Sequence, residues 1–144
     1  MTVELPAVAR RHLRLGWLGL ALYVALGILL EALHAFKAPM YLDVGNETRR
    51  LMWTLAHAHG TLLSLIQLAV VSSVARLGAE VVSQGASRAL VAGWVLLPVG
   101  FFLGGVSTFG GDPGPGVFLA PVGALATLGG LCGVARKVWI TTAD

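Results

Sequence analysis

"RRLMWTLAHAHGTLLSLIQLAV", residues 49–70, opens on two arginines, passes two histidines set two apart, and then runs into hydrocarbon. Its apolar part has the length that a helix needs to cross about 30 Å of bilayer. Runs of that kind occur at about 15–34, 51–74, 89–108 and 117–134. Their separators, "FKAPMYLDVGNETRR", "ARLGAEVVSQGASR" and "STFGGDPGPG", are rich in turn formers, and the last cannot continue a helix. Alternating ten-residue strands are absent, so a membrane barrel is excluded and lipid leaves only helices. The reading is an all-α polytopic membrane protein, residues 1–144 forming a single four-helix transmembrane bundle.

Composition agrees. The chain is 56% hydrophobic and 12% charged, with a mean hydropathy of +0.81, so its main partner is the lipid bilayer. The net charge of +3 comes from basic residues scattered singly or in pairs, which argues against nucleic acid. The single Cys132 excludes an intramolecular disulfide framework and a four-cysteine thiol oxidoreductase. The charged-then-apolar start resembles a signal peptide, but its apolar part is too long and lacks a small-residue cleavage site. It is expected to stay as the first span.

Arg10, Arg11, Arg14, Arg76, Arg88, Arg136 and Lys137 flank one side of the spans, and Lys37, Arg49 and Arg50 the other. The positive-inside rule puts both termini in the cytoplasm, as expected of a bacterial inner-membrane protein. Small residues four apart, Gly100 with Gly104 and Gly129 with Gly133, offer grooves for packing within the chain or between chains. "NET" at 46–48 matches a glycosylation acceptor.

The first and third connections share one membrane face, which gathers Glu31, His34, Lys37, Tyr41, Arg49, Arg50, His57, His59, Thr108 and Asp112 near one end. Ionisable groups in spans are costly, so the functional end is expected there. The other end reads as anchoring arginines. At about 100° per residue, His57 shares a face with Arg50, Trp53, Thr61 and Ser64, while His59 points the other way with Met52, Leu63 and Ile66. The two cannot grip one ion. In the first span His34 stacks above Glu31, Gly27, Tyr23 and Gly16, an expected interior stripe.

Three chemistries fit these residues. Each histidine can be a hydrogen-bonded packing or headgroup residue. Glu31 and His34 make Glu-x-x-His, the spacing of carboxylate di-metal bundles, although those need the motif twice. His57 can be one axial ligand of haem, with Trp53, Phe101, Phe102 and Phe109 as aromatic walls. Arg49 and Arg50 are headgroup anchors or, with their guanidinium forks, partners for propionates. "FGGDPGPG" is a tight connection or a lid carrying Asp112.

Trp53-Thr54-Leu55-Ala56-His57 resembles the stretch around the haem-ligating histidine of the small membrane isomerases typified by styrene oxide isomerase. Ala56, His57 and Gly60 match the Ala-His-x-x-Gly pattern of the similar four-span hydroxylaminobenzene mutases. "FGGDPGPGVFLAP" resembles the connection into the last span, and the shared layout covers nearly the whole chain. The resemblance implies a homotrimer holding haem b through His57, with ferric iron as Lewis acid toward an epoxide oxygen and a small hydrophobic aromatic substrate. Two positions depart from that pattern. Leu63, beside Ser64, stands where the isomerases carry a pocket asparagine, and Phe101 and Phe102 occupy the region of a pocket tyrosine, so orienting hydrogen bonds are lost from the expected substrate pocket. Two other classes stay open: an electron-transfer or sensing haem protein with His34 as second ligand, and a cofactor-free accessory subunit.

Overall fold

The computed structural model describes residues 5–43 and 47–143. Four helices carry the fold: α1 (Ala7–Ala35), α2 (Thr48–Leu77), α3 (Gln84–Val106) and α4 (Leu119–Thr141). All four are long and apolar enough to cross a membrane. The fold is therefore all-α, with apolar residues on every side of each helix, the pattern of a lipid-facing span. At about 1.5 Å per residue, the 29 residues of α1 and the 30 of α2 outrun the hydrocarbon, so their polar ends stand in the headgroup region.

The third helix ends at Val106, two residues before the expected boundary at Thr108. Thr108 instead opens a short antiparallel hairpin, β1 (Thr108–Phe109) with β2 (Asp112–Pro113). Gly110 and Gly111 form its two-residue turn at φ +57° and +92°, a conformation that glycine adopts without strain. A 3-10 turn over Pro115–Phe118 then leads into α4, so the regular helix starts later than position 117. The possible glycosylation acceptor at Asn46 lies outside the described residues.

Helices pack mainly on their chain neighbours: α1 on α2, α2 on α3, α3 on α4. Without a hydrophobic drive between helices in lipid, small residues set how closely they approach. Gly100 and Gly104 meet Ala120 and Val117, so the expected groove in span three is used inside the chain. In span four the expected pair divides. Gly133 touches Ala86, while Gly129 meets nothing within 4 Å. Gly123 and Gly130, two turns apart, line the seam instead, against Leu97 and Leu90.

The turn after α1 is closed by a Schellman arrangement. Lys37 takes φ +50°, its N–H bonds His34 O at 3.1 Å, and Ala38 N–H bonds Leu33 O at 2.9 Å. The chain then folds back so that Tyr41 is buried with Leu30 and Trp53. At the opposite end Ser83 caps α3 by accepting from Ala86 N–H at 3.1 Å.

A side chain on Gly100 would stand 2.5 Å from Ala120 N and force α3 from α4. Gly100→Val is expected to cost about 1–3 kcal/mol. Gly129→Val should leave stability unchanged, and thermal unfolding of both variants in detergent checks the difference.

Candidate functional site

On α2 the two histidines take different sides, as their spacing requires. His57 turns to α1, where Gly27 leaves room for its ring: a Cβ there would stand 2.7 Å from His57 Nδ1. Gly27 also bares the Tyr23 carbonyl one turn earlier, which a side chain at position 27 would screen. His57 Nδ1–H donates to that carbonyl at 2.7 Å. The acceptor is a carbonyl, so Nδ1 carries the proton and the neutral ring offers its lone pair at Nε2. That nitrogen has no hydrogen-bond partner among the described residues. His57 is half-buried, and one turn on, Thr61 Oγ1 is buried with no partner among the described residues.

One turn the other way the same side of α2 reaches a polar cleft of about 490 Å³. His34 of α1, Tyr41 of the connection, and Glu47, Arg50, Leu51 and Thr54 line it. Arg50 pairs with Glu47 at 2.9 Å in an exposed ion pair. His34 and Glu31 are exposed, so the interior stripe of α1 holds through Gly16, Tyr23 and Gly27 but does not extend to these two. His34 lies seven residues beyond Gly27, a rise of about 10 Å along α1, and lines the cleft, whereas His57 sits in the seam against Gly27. Among the described residues, no group of three or more His, Cys, Asp or Glu side chains could hold a metal.

Arg49 is drawn into the framework. Its Nε–H donates to Gly105 O at 3.0 Å and Nη1–H to Met40 O at 2.9 Å, tying the first connection to the end of α3. Trp53 sits beside it, stacked on Tyr41 and on Phe102, and donates from Nε1 to Phe102 O at 3.1 Å. The Gly105 carbonyl, in the last turn of α3, thus receives a donor that the helix cannot supply, and Phe102 O takes a second donor from Trp53. Arg49 there also complements the negative helix end.

The other expected pocket residues are not brought to His57. Phe101 packs on His59, ring centroids 5.0 Å apart, in an apolar cleft of about 480 Å³ that Pro121 and Phe118 also line. His59 Nδ1–H donates to Leu55 O at 2.9 Å. Phe102 lies with Trp53, and both Leu63 and Ser64 are buried. Leu63 belongs to the core with Tyr23, Trp94 and Leu97. Ser64 donates to Gly60 O at 2.7 Å and accepts from Trp94 Nε1–H at 2.9 Å. Phe109 is exposed on the hairpin, and Asp112 pairs with it in register.

A cluster at the other end was absent from the sequence reading. His12 is fully buried between α1, α2 and α3, with Gln67 on Nδ1 and Ser87 on Nε2. Its signal was the α1 stripe itself, since His12 lies one turn before Gly16.

A scan against protein-family models finds no match, and no curated protein or solved structure matches the chain.

Replacing Arg49 by Ala removes two hydrogen bonds to a charged donor, and each such bond contributes about 1.5–3 kcal/mol. The loss should appear as a clear drop in thermal stability. Arg50→Ala, which breaks only an exposed ion pair, should cost less than about 1 kcal/mol in the same assay.

Proposed function

We propose that this chain is a haem b-dependent membrane isomerase of a small hydrophobic substrate, with His57 as the axial ligand. The observation that carries the reading is the His57 Nδ1–H bond to the Tyr23 carbonyl. Metal-ligating histidines characteristically donate their other ring N–H to such an acceptor, which fixes the tautomer and raises the basicity of the ligating nitrogen. At the ligand the support is the fixed tautomer: Nε2 is unpartnered among the described residues, Thr61 Oγ1 is an orphaned buried hydroxyl on the same side, and a polar cleft opens one turn away, although the ring itself lies against Gly27 and does not line that cleft. Support is poorer at the walls, because Trp53 and Phe101 are engaged elsewhere.

When bound, ferric haem supplies Lewis acidity for an epoxide-to-aldehyde type rearrangement. The protein's part is distinct. The Tyr23 carbonyl and the gap at Gly27 hold the imidazole ring in one orientation. Arg50, at the mouth of the cleft, is the cation suited to a propionate, for which it would exchange Glu47. Apolar spans keep water from trapping a cationic intermediate as a diol. His57 lies on the α1 side of α2, against Gly27. The homotrimer rests on the resemblance to the small membrane isomerases. The seven-to-three excess of basic residues supports cytoplasmic termini in a bacterial inner membrane.

Purified protein supplied with haem is expected to give a Soret band and to convert an aromatic epoxide to its aldehyde. His57→Ala should lose both, while His34→Ala keeps the band. Loss of the band in His59→Ala instead would move the haem to the cleft lined by Phe101, and no band in wild-type protein overturns the proposal.

A further inference from the structure

At the end remote from His57, three helices bring together three side chains that are each nearly or wholly buried: His12 of α1, Gln67 of α2 and Ser87 of α3, at 0, 1 and 2% exposure. Their hydrogen bonds have one direction. Gln67 Nε2–H donates to Leu90 O at 3.2 Å, a carbonyl that can only accept, so the amide oxygen is the atom that faces His12. An amide oxygen also only accepts. Hence His12 Nδ1 carries the proton, and in the neutral ring Nε2 accepts from Ser87 O–H at 2.9 Å.

This is a hydroxyl on a base whose tautomer is set by a third group, the order that activates a nucleophile. Donors aligned head to tail polarise one another, and the electron-rich end of the chain is Ser87 Oγ. A small polar cavity lies beside Ser87. It measures about 50 Å³ and is lined by Ala7, Val8, Arg11, Val82, Gln84 and Ser87. Around it, Ser83 already occupies the amides of Ala86 and Ser87, at 3.1 and 2.9 Å. The earlier first-turn amides of α3, Gln84 and Gly85, have no helical acceptor.

We infer that Ser87, His12 and Gln67 form a second active site, a serine esterase centre for short acyl groups. Ser87 is the nucleophile, His12 the general base and Gln67 the positioning residue. The small size of the cavity, about 50 Å³, points to a short acyl group such as acetyl. In the first step Ser87 Oγ bonds to the ester carbonyl carbon and its proton passes to His12 Nε2. The bond from that carbon to the alcohol oxygen breaks, and the alcohol leaves with the same proton. Water then adds to the acyl-serine and gives its proton to Nε2. The Oγ–acyl bond breaks, the proton returns to Oγ, and the carboxylic acid departs.

The probe is 4-nitrophenyl acetate with the full-length protein in lipid vesicles, read by nitrophenolate release and by peptide mass spectrometry. An acetyl adduct on Ser87 is expected, absent in Ser87→Ala. His12→Gln keeps hydrogen-bonding capacity but not the base, and should slow acylation about 100-fold or more. A Ser87→Cys variant guards against misfolding. Its thiol should react with methyl methanethiosulfonate faster than exposed Cys132, and lose that advantage when His12→Gln is added. No adduct on Ser87 in the wild-type protein, or equal acylation with and without His12, overturns the inference and leaves a polar clamp. The haem spectrum plays no part in these readouts, so the two sites stand or fall separately.

Discussion

The α1–α2 seam depends on one constraint: in lipid, helices gain little from burying hydrocarbon against each other, so they associate where backbones can come close. Here a glycine on one helix repeatedly faces a larger group on the other. Gly16 meets Leu68, Gly19 meets Ser64, Gly27 meets His57, and Gly60 meets Tyr23. The register is antiparallel, and its spacing fixes which polar groups become neighbours. A side chain at position 27 would push His57 from the Tyr23 carbonyl and leave the imidazole without its defined tautomer.

The same economy governs the ends of α3, where a helix leaves backbone groups unpaired. At its start Ser83 answers the free amide of Ala86. At its finish Arg49 donates to Gly105 O and Gly114 N–H to Gly104 O, while Trp53 adds a second donor to Phe102 O. Those three bonds draw the start of α2 and the hairpin connection onto one helix end. Arg49 and Trp53 thus hold the helix end together, and the polar cleft is lined by Arg50 rather than Arg49.

Helix number and span positions were legible because hydrophobic length is a property of the linear chain. So was the opposition of His57 and His59, which follows from the helical turn. What could not be read was which face of α2 meets which neighbour. The wheel put Trp53 with His57, about 40° apart, yet Trp53 packs on Phe102 of α3 and His57 on Gly27 of α1. A boundary between two neighbours runs between them, and nothing local marks it. His12 shows the converse. Its burial is implicit in the stripe of Gly16 and Tyr23, but only the fold reveals Gln67 and Ser87 beside it.

Three of the four histidines, His12, His57 and His59, share one arrangement: Nδ1 beside an oxygen that can only accept a proton, which leaves Nε2 to offer a lone pair. The chemistry open to each then depends on what Nε2 meets. His12 meets the Ser87 hydroxyl, beside a cavity of about 50 Å³. His57 Nε2 meets no hydrogen-bond partner among the described residues and lies in the α1–α2 seam against Gly27, one turn from the polar cleft. His59 shares an apolar cleft with Phe101, where a lone pair in hydrocarbon has little to bind unless a lipophilic donor enters. One device, an acceptor-only oxygen at Nδ1 from a side-chain amide or a backbone carbonyl, thus recurs at three depths, and what distinguishes the three rings is the neighbour of Nε2 rather than the imidazole.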